Sequence, residues 1–71
     1  MVNLDIFRER LKEQLKEKNI NQSILARETG ISNQAISNWI LGKGEPLVTY
    51  VWRLADFFDC TIDYLLGRTD Y

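Results

Sequence analysis

Residues 21–41, NQSILARETGISNQAISNWIL, decide the architecture of this 71-residue chain. Asn21 has the short side-chain oxygen that caps the free N–H groups opening a helix, and Gly30 supplies the left-handed residue that ends that helix after Thr29. Ser32 can cap the next helix almost at once, and that helix runs from residue 33 to about residue 41. Two short helices joined by ETGIS form an αα unit in which the second is held across the first and presented to solvent. Ala26 allows the close crossing that a larger side chain would prevent, with Leu25 and Ile36 filling the space beneath.

Placed on a wheel at about 100° per residue, residues 33 to 41 separate into two faces. Ala35, Ile36, Trp39 and Ile40 form an apolar arc, and Asn33, Gln34, Ser37, Asn38 and Leu41 form the opposite one. An amide offers a donor and an acceptor together, which matches the N6 and N7 edge of adenine in the major groove of DNA, and a hydroxyl pairs with any base. A surface helix more usually carries Lys and Glu, so four uncharged polar residues with no charge among them fit either a base-reading face or a plain solvated one. The spacing of the two helices is that of a helix-turn-helix.

Outward from this unit the pattern stays helical. Asn3 can cap a first helix with apolar Leu4, Phe7, Leu11 and Leu15 at three- and four-residue spacing, ending near Asn19. Its charges form two stripes, Arg8, Lys12 and Lys16 beside Glu9, Glu13 and Glu17, as expected of a solvated face. Gly42-Lys43-Gly44 stops the third helix, and Pro46 opens a fourth, from about residue 47 to residue 58, with Val48, Val51, Leu54, Ala55 and Phe58 expected in the core. Thr61 can cap a final short helix bearing Ile62, Leu65 and Leu66. The sequence thus predicts an all-α fold, a compact five-helix bundle forming one domain over residues 1–71.

Composition narrows the chemistry. There is no histidine and only one cysteine, Cys60, so disulfides within the chain, zinc-finger spacing and His-based acid–base catalysis are excluded, and Cys60 is expected as a small buried apolar residue. No catalytic constellation and no cofactor or metal site is expected. The N-terminus lacks the apolar stretch of a secretory signal and no long apolar run occurs, which predicts a cytoplasmic protein without membrane partners. Net charge is −1, but residues 1–28 carry +1, residues 29–44 only Lys43, and residues 45–71 carry −3. The acids therefore lie away from the amide-bearing segment, which could approach phosphate without repulsion.

From Phe7 to Gly67 the chain resembles the Cro/repressor-type (XRE-type) helix-turn-helix family of phage and bacterial regulators, in the stretches RLKEQLKEKNINQ, LARETGIS, ISNWILGKGEP and LADFFDCTIDYLLG. Their order and spacing together carry the likeness. The resemblance implies a lambda repressor-like fold and a transcriptional regulator, a repressor by expectation, bound as a homodimer to a two-fold symmetric operator. It implies that Asn33, Gln34, Ser37 and Asn38 face base edges, and that Asn21 and Gln22 at the amino end of the second helix and Lys43 in the loop after the third touch phosphates. The free N–H groups of a helix start suit a phosphate independently.

The chain also departs from that family. Members often carry Arg at the position of Leu15 and Glu at that of Ile40, a buried ion pair tying the first helix to the third. Replacing both partners by apolar residues is physically coherent, because losing only one would strand a charge. Leu41 stands where the family has a polar residue, and either touches a thymine methyl or covers the end of the third helix. Tyr50, Trp52 and Phe57 on the fourth helix form either a homodimer surface or part of the monomer's own core. A protein-docking module and an antitoxin remain alternative functions for the same fold.

Overall fold

The computed structural model describes residues 4–70, so the expected cap Asn3 lies outside the described residues. Five α-helices and no strand occur among them: α1 Leu4–Lys18, α2 Gln22–Thr29, α3 Asn33–Ile40, α4 Val48–Phe58 and α5 Ile62–Leu66. Each boundary has a local cause. Asn21, Ser32 and Thr61 accept hydrogen bonds from the backbone N–H groups of Ile24, Ala35 and Tyr64, which caps α2, α3 and α5. Helix α1 ends at Asn19 and α4 at Asp59, both left-handed, a conformation that short polar side chains tolerate better than most.

The core is one cluster drawn from every helix. Phe7 and Leu11 of α1, Leu25 of α2, Ile36 and Trp39 of α3, Val51, Leu54, Ala55 and Phe58 of α4, and Leu65 of α5 are all buried. Ile31, in the turn between α2 and α3, joins them in the core. Leu15, Ile40 and Cys60 are only half-buried, packed against this cluster rather than inside it. The third residue that α1 buries is Gln14, whose Nε2 donates to Glu17 Oε2 at 3.4 Å. Phe7, Leu11 and Gln14 follow the helical spacing of four and three, so the buried stripe tilts away from Leu15.

Val48 corrects the sequence expectation: it is 75% exposed, not core. It shares the stripe of Val51 by spacing, but as the first residue of α4 it lines an open depression with Pro46, Val51, Ile62 and Leu66. Arg10 plays a part that its place on α1 did not announce. It donates to the carbonyls of Tyr64 and Thr69, stacks 4.4 Å from the Tyr64 ring centroid, and lies 3.5 Å from Asp70 Oδ1. A single guanidinium thus ties α1 to the residues around α5.

Candidate nucleic-acid interface

Helices α2 and α3 bring most of the sequence-selected residues to one exposed region, and they do so through amide–amide bonds. Gln22 Nε2 donates to Asn33 Oδ1 at 2.8 Å, and Asn33 Nδ2 donates to Ser23 Oγ at 3.2 Å, so the start of α2 is pinned to the start of α3. From the next residue of α3, Gln34 Nε2 donates one turn onward to Asn38 Oδ1 at 3.1 Å. Each primary amide nitrogen carries two hydrogens, so every one of these donors keeps a second N–H for another acceptor. The network orients the side chains in advance, which lowers the ordering cost of any contact they make.

Asn33 and Gln34 are exposed, and Ser37 and Asn38 are half-buried at the edge of the same arc. The opposite arc is anchored by Ile36 and Trp39, so the amphipathic division of α3 follows the wheel. Leu41, 63% exposed, follows directly as the cap residue and does not seal the helix end. At about 1.5 Å per residue the eight residues of α3 span roughly 12 Å, comparable with the width of the major groove.

The start of α2 keeps free backbone N–H groups and carries no acidic side chain in its first turn. Asn21 Oδ1 takes the Ile24 N–H at 2.9 Å and leaves the N–H groups of the first turn, where no acidic side chain competes for them. Lys43 sits on the other flank, exposed, with its N–H on the Asn38 carbonyl at 2.7 Å. Gln22 and Asn33 are therefore bonded to each other at one end of the face, with Asn21 next to Gln22 in the chain, and Lys43 follows the other end of α3.

The aromatic residues of α4 do not form one exposed strip. Tyr50 packs on Trp39 with ring centroids 5.9 Å apart and Phe57 on Phe58 at 5.3 Å, while Trp52 points outward, 59% exposed. For Tyr50 and Phe57 the structure therefore favours the core alternative. Sequence reasoning missed Ser23, which has no distinguishing spacing, and the partner of Gln22, which only the crossing of α2 over α3 reveals. Among the described residues no group of three or more His, Cys, Asp or Glu could hold a metal ion, and no helix is long and apolar enough to cross a membrane.

An all-helical fold in which α3 packs on α2 and presents a charge-poor amide face has the αα arrangement of helix-turn-helix domains. A family model described as helix-turn-helix matches residues 11–65, and the chain belongs to that family, as its resemblance to the Cro/repressor type implied. Neither that family nor the regulators it matches point to an enzyme. The chain is 40% identical over 61 residues to the HTH-type transcriptional activator BcrR of Enterococcus faecalis, covering 86% of this chain and 30% of the relative. It is 34% identical over 65 residues to repressor protein C2 of Salmonella phage P22, covering 92% and 30%. It is also 36% identical over 62 residues to the cryptic phage CTXphi transcriptional repressor RstR of Vibrio cholerae, covering 87% and 55%. The chain thus spans between about a third and about half of these relatives' length. No solved structure matches it at the same stringency.

Proposed function

We propose that this chain is a sequence-specific DNA-binding regulator of transcription that lays α3 in the major groove and represses by occupying an operator. The observation that carries the reading is the pre-ordered amide face, Gln22–Asn33 and Gln34–Asn38, without a carboxylate in residues 29–44. Asn33, Gln34, Ser37 and Asn38 read base edges, while Asn21, Gln22 and Lys43 hold phosphates on either side of them. Occlusion needs nothing beyond occupancy, whereas activation needs a further surface for polymerase, so repression is the simpler use of such a face. The motif at residues 21–41 serves as the reading unit of one module working in the cytoplasm.

Binding as a homodimer is part of the same proposal. Leu47, Val48 and Trp52 are 63%, 75% and 59% exposed, beside Pro46, and a second copy would remove this apolar surface from water. Two-fold pairing would set two α3 helices about one helical turn of DNA apart.

Selection of bound duplexes from a random pool tests both parts, because a two-fold symmetric motif is expected. On the selected site Gln34→Ala should weaken binding by about 1–3 kcal/mol and relax one base position in each half-site. Lys43→Ala should instead weaken binding to all duplexes alike and lower the salt slope by roughly one unit. Equal loss on selected and random DNA for Gln34→Ala would show that α3 does not read bases, and the exposed α4 surface would then point to a protein-docking module.

A further inference from the structure

The turn that ends α3 is touched by a side chain from the start of the molecule. Gly42, at φ +78°, reverses the backbone so that its N–H meets the Trp39 carbonyl at 3.0 Å and the Lys43 N–H meets the Asn38 carbonyl at 2.7 Å. This pair of bonds satisfies the last carbonyls of α3 and fixes where Lys43 leaves the helix. The guanidinium of Arg8 lies directly on the turn: a β-carbon added to Gly42 would stand 2.5 Å from Arg8 Nη1. Arg8 Nη2 donates to Asp5 Oδ1 at 3.0 Å, and the Arg8 side chain is 30% exposed. The Arg8 guanidinium therefore lies beside the residue that immediately precedes Lys43.

A cation beside the negative end of a helix is favourable without any ligand. The form of this one goes further. A guanidinium has five N–H donors in a planar fork, and Asp5, itself 79% exposed, takes one of them in a solvent-screened pair that a stronger acceptor can displace. A phosphate is such an acceptor, because it meets the fork with two oxygens at once. Asp5 pairs with Arg8, while the turn's own residues 41–44 carry no acid and Glu45 follows them.

We propose that Arg8 is a phosphate-binding residue of the DNA interface, gripping the backbone with Lys43 at the carboxyl end of α3. The inference rests on the DNA-binding reading above. It enlarges the positive flank from one lysine in a glycine loop to two cations, one of them held on a rigid helix.

The test measures binding of a fluorescent random-sequence duplex of about two helical turns over a salt series, for the wild-type chain and for Lys43→Ala, Arg8→Gln and Arg8→Lys. Arg8→Gln should lower the slope of log affinity against log salt by about one unit, as Lys43→Ala does, and Arg8→Lys should keep the wild-type slope because the charge remains. Thermal melts of each variant at every salt concentration used check that it is fully folded, so that a change of slope reports lost counterion release. A wild-type slope in Arg8→Gln, with the slope of Lys43→Ala reduced, overturns the proposal and leaves DNA binding standing. An Arg8→Lys slope as low as that of Arg8→Gln also overturns it. Absence of salt-dependent duplex binding by the wild-type chain would remove the DNA-binding reading itself.

Discussion

Replacing Trp39 by alanine asks whether α3 is held in place by its apolar face. The indole is 5% exposed and joins three helices, with Phe7 of α1 edge-on at a centroid distance of 5.9 Å and Tyr50 of α4 tilted at 5.9 Å. Truncating a buried Phe or Trp to Ala costs about 3–5 kcal/mol. The upper half of that range is expected here, because each of two aromatic pairs adds about 0.5–1.5 kcal/mol beyond buried area. At roughly 0.05–0.15 kcal/mol per residue the whole domain has about 4–10 kcal/mol of stability, so the substitution removes a large fraction of it. Trp52→Ala is the matched control: the same residue type, 59% exposed, and expected to change monomer stability by about 0.5 kcal/mol or less. Urea unfolding followed by far-ultraviolet circular dichroism, at a concentration low enough to exclude association, compares the two. A loss below about 1 kcal/mol for Trp39→Ala, or a larger loss for Trp52→Ala, would refute this account of what anchors α3.

Leu15 and Ile40, both half-buried against the common core, should behave as a pair: Leu15→Arg and Ile40→Glu singly should each destabilise more than the two together, and additive losses in a double-mutant cycle would show no coupling. Burial first, and the Asp59 carboxylate second, push the Cys60 thiol above its ordinary pKa against the pull of Lys18. Below the ordinary thiol pKa both folded and unfolded chains keep the proton, so this group adds no pH dependence there. As pH rises past it the unfolded chain ionises first and stability falls. Alkylation of Cys60 in the folded chain at a pH of about 8.5 should therefore be slower than in urea-unfolded chain, and equal rates would contradict the shift.

The parts of the fold that the sequence discloses are those governed by neighbours along the chain. Caps at Asn21, Ser32 and Thr61, the glycine ending α2 and the division of α3 into two arcs each depend on residues within four positions, which is the range of a helical turn. What escaped depends on where helices meet. Gln14 is buried and Leu15 half-exposed because α1 lies against its neighbours at an angle that tilts the stripe, and no periodicity in α1 alone fixes that angle. Val48 has core spacing but sits beyond the edge of the core, and spacing cannot say where packing stops.

The same distinction divides the candidate interface. The chemical type of the polar face of α3 is local: Asn33, Gln34, Ser37 and Asn38 fall together because of helical geometry, so their common arc follows from the sequence. Their orientation is not local, since Asn33 is steered by Gln22 and Ser23 across the α2–α3 crossing. Asn33 is bonded through both ends of its amide, whereas Gln34 is held only along its own helix by Asn38. An amide that must keep two bonds within the protein has one hydrogen left to offer, and one that can release a single neighbour can present donor and acceptor together. Discrimination between bases needs the paired contact, so the proposed DNA complex predicts a larger sequence-specific loss for Gln34→Ala than for Asn33→Ala, with Asn33 bonded across the α2–α3 crossing.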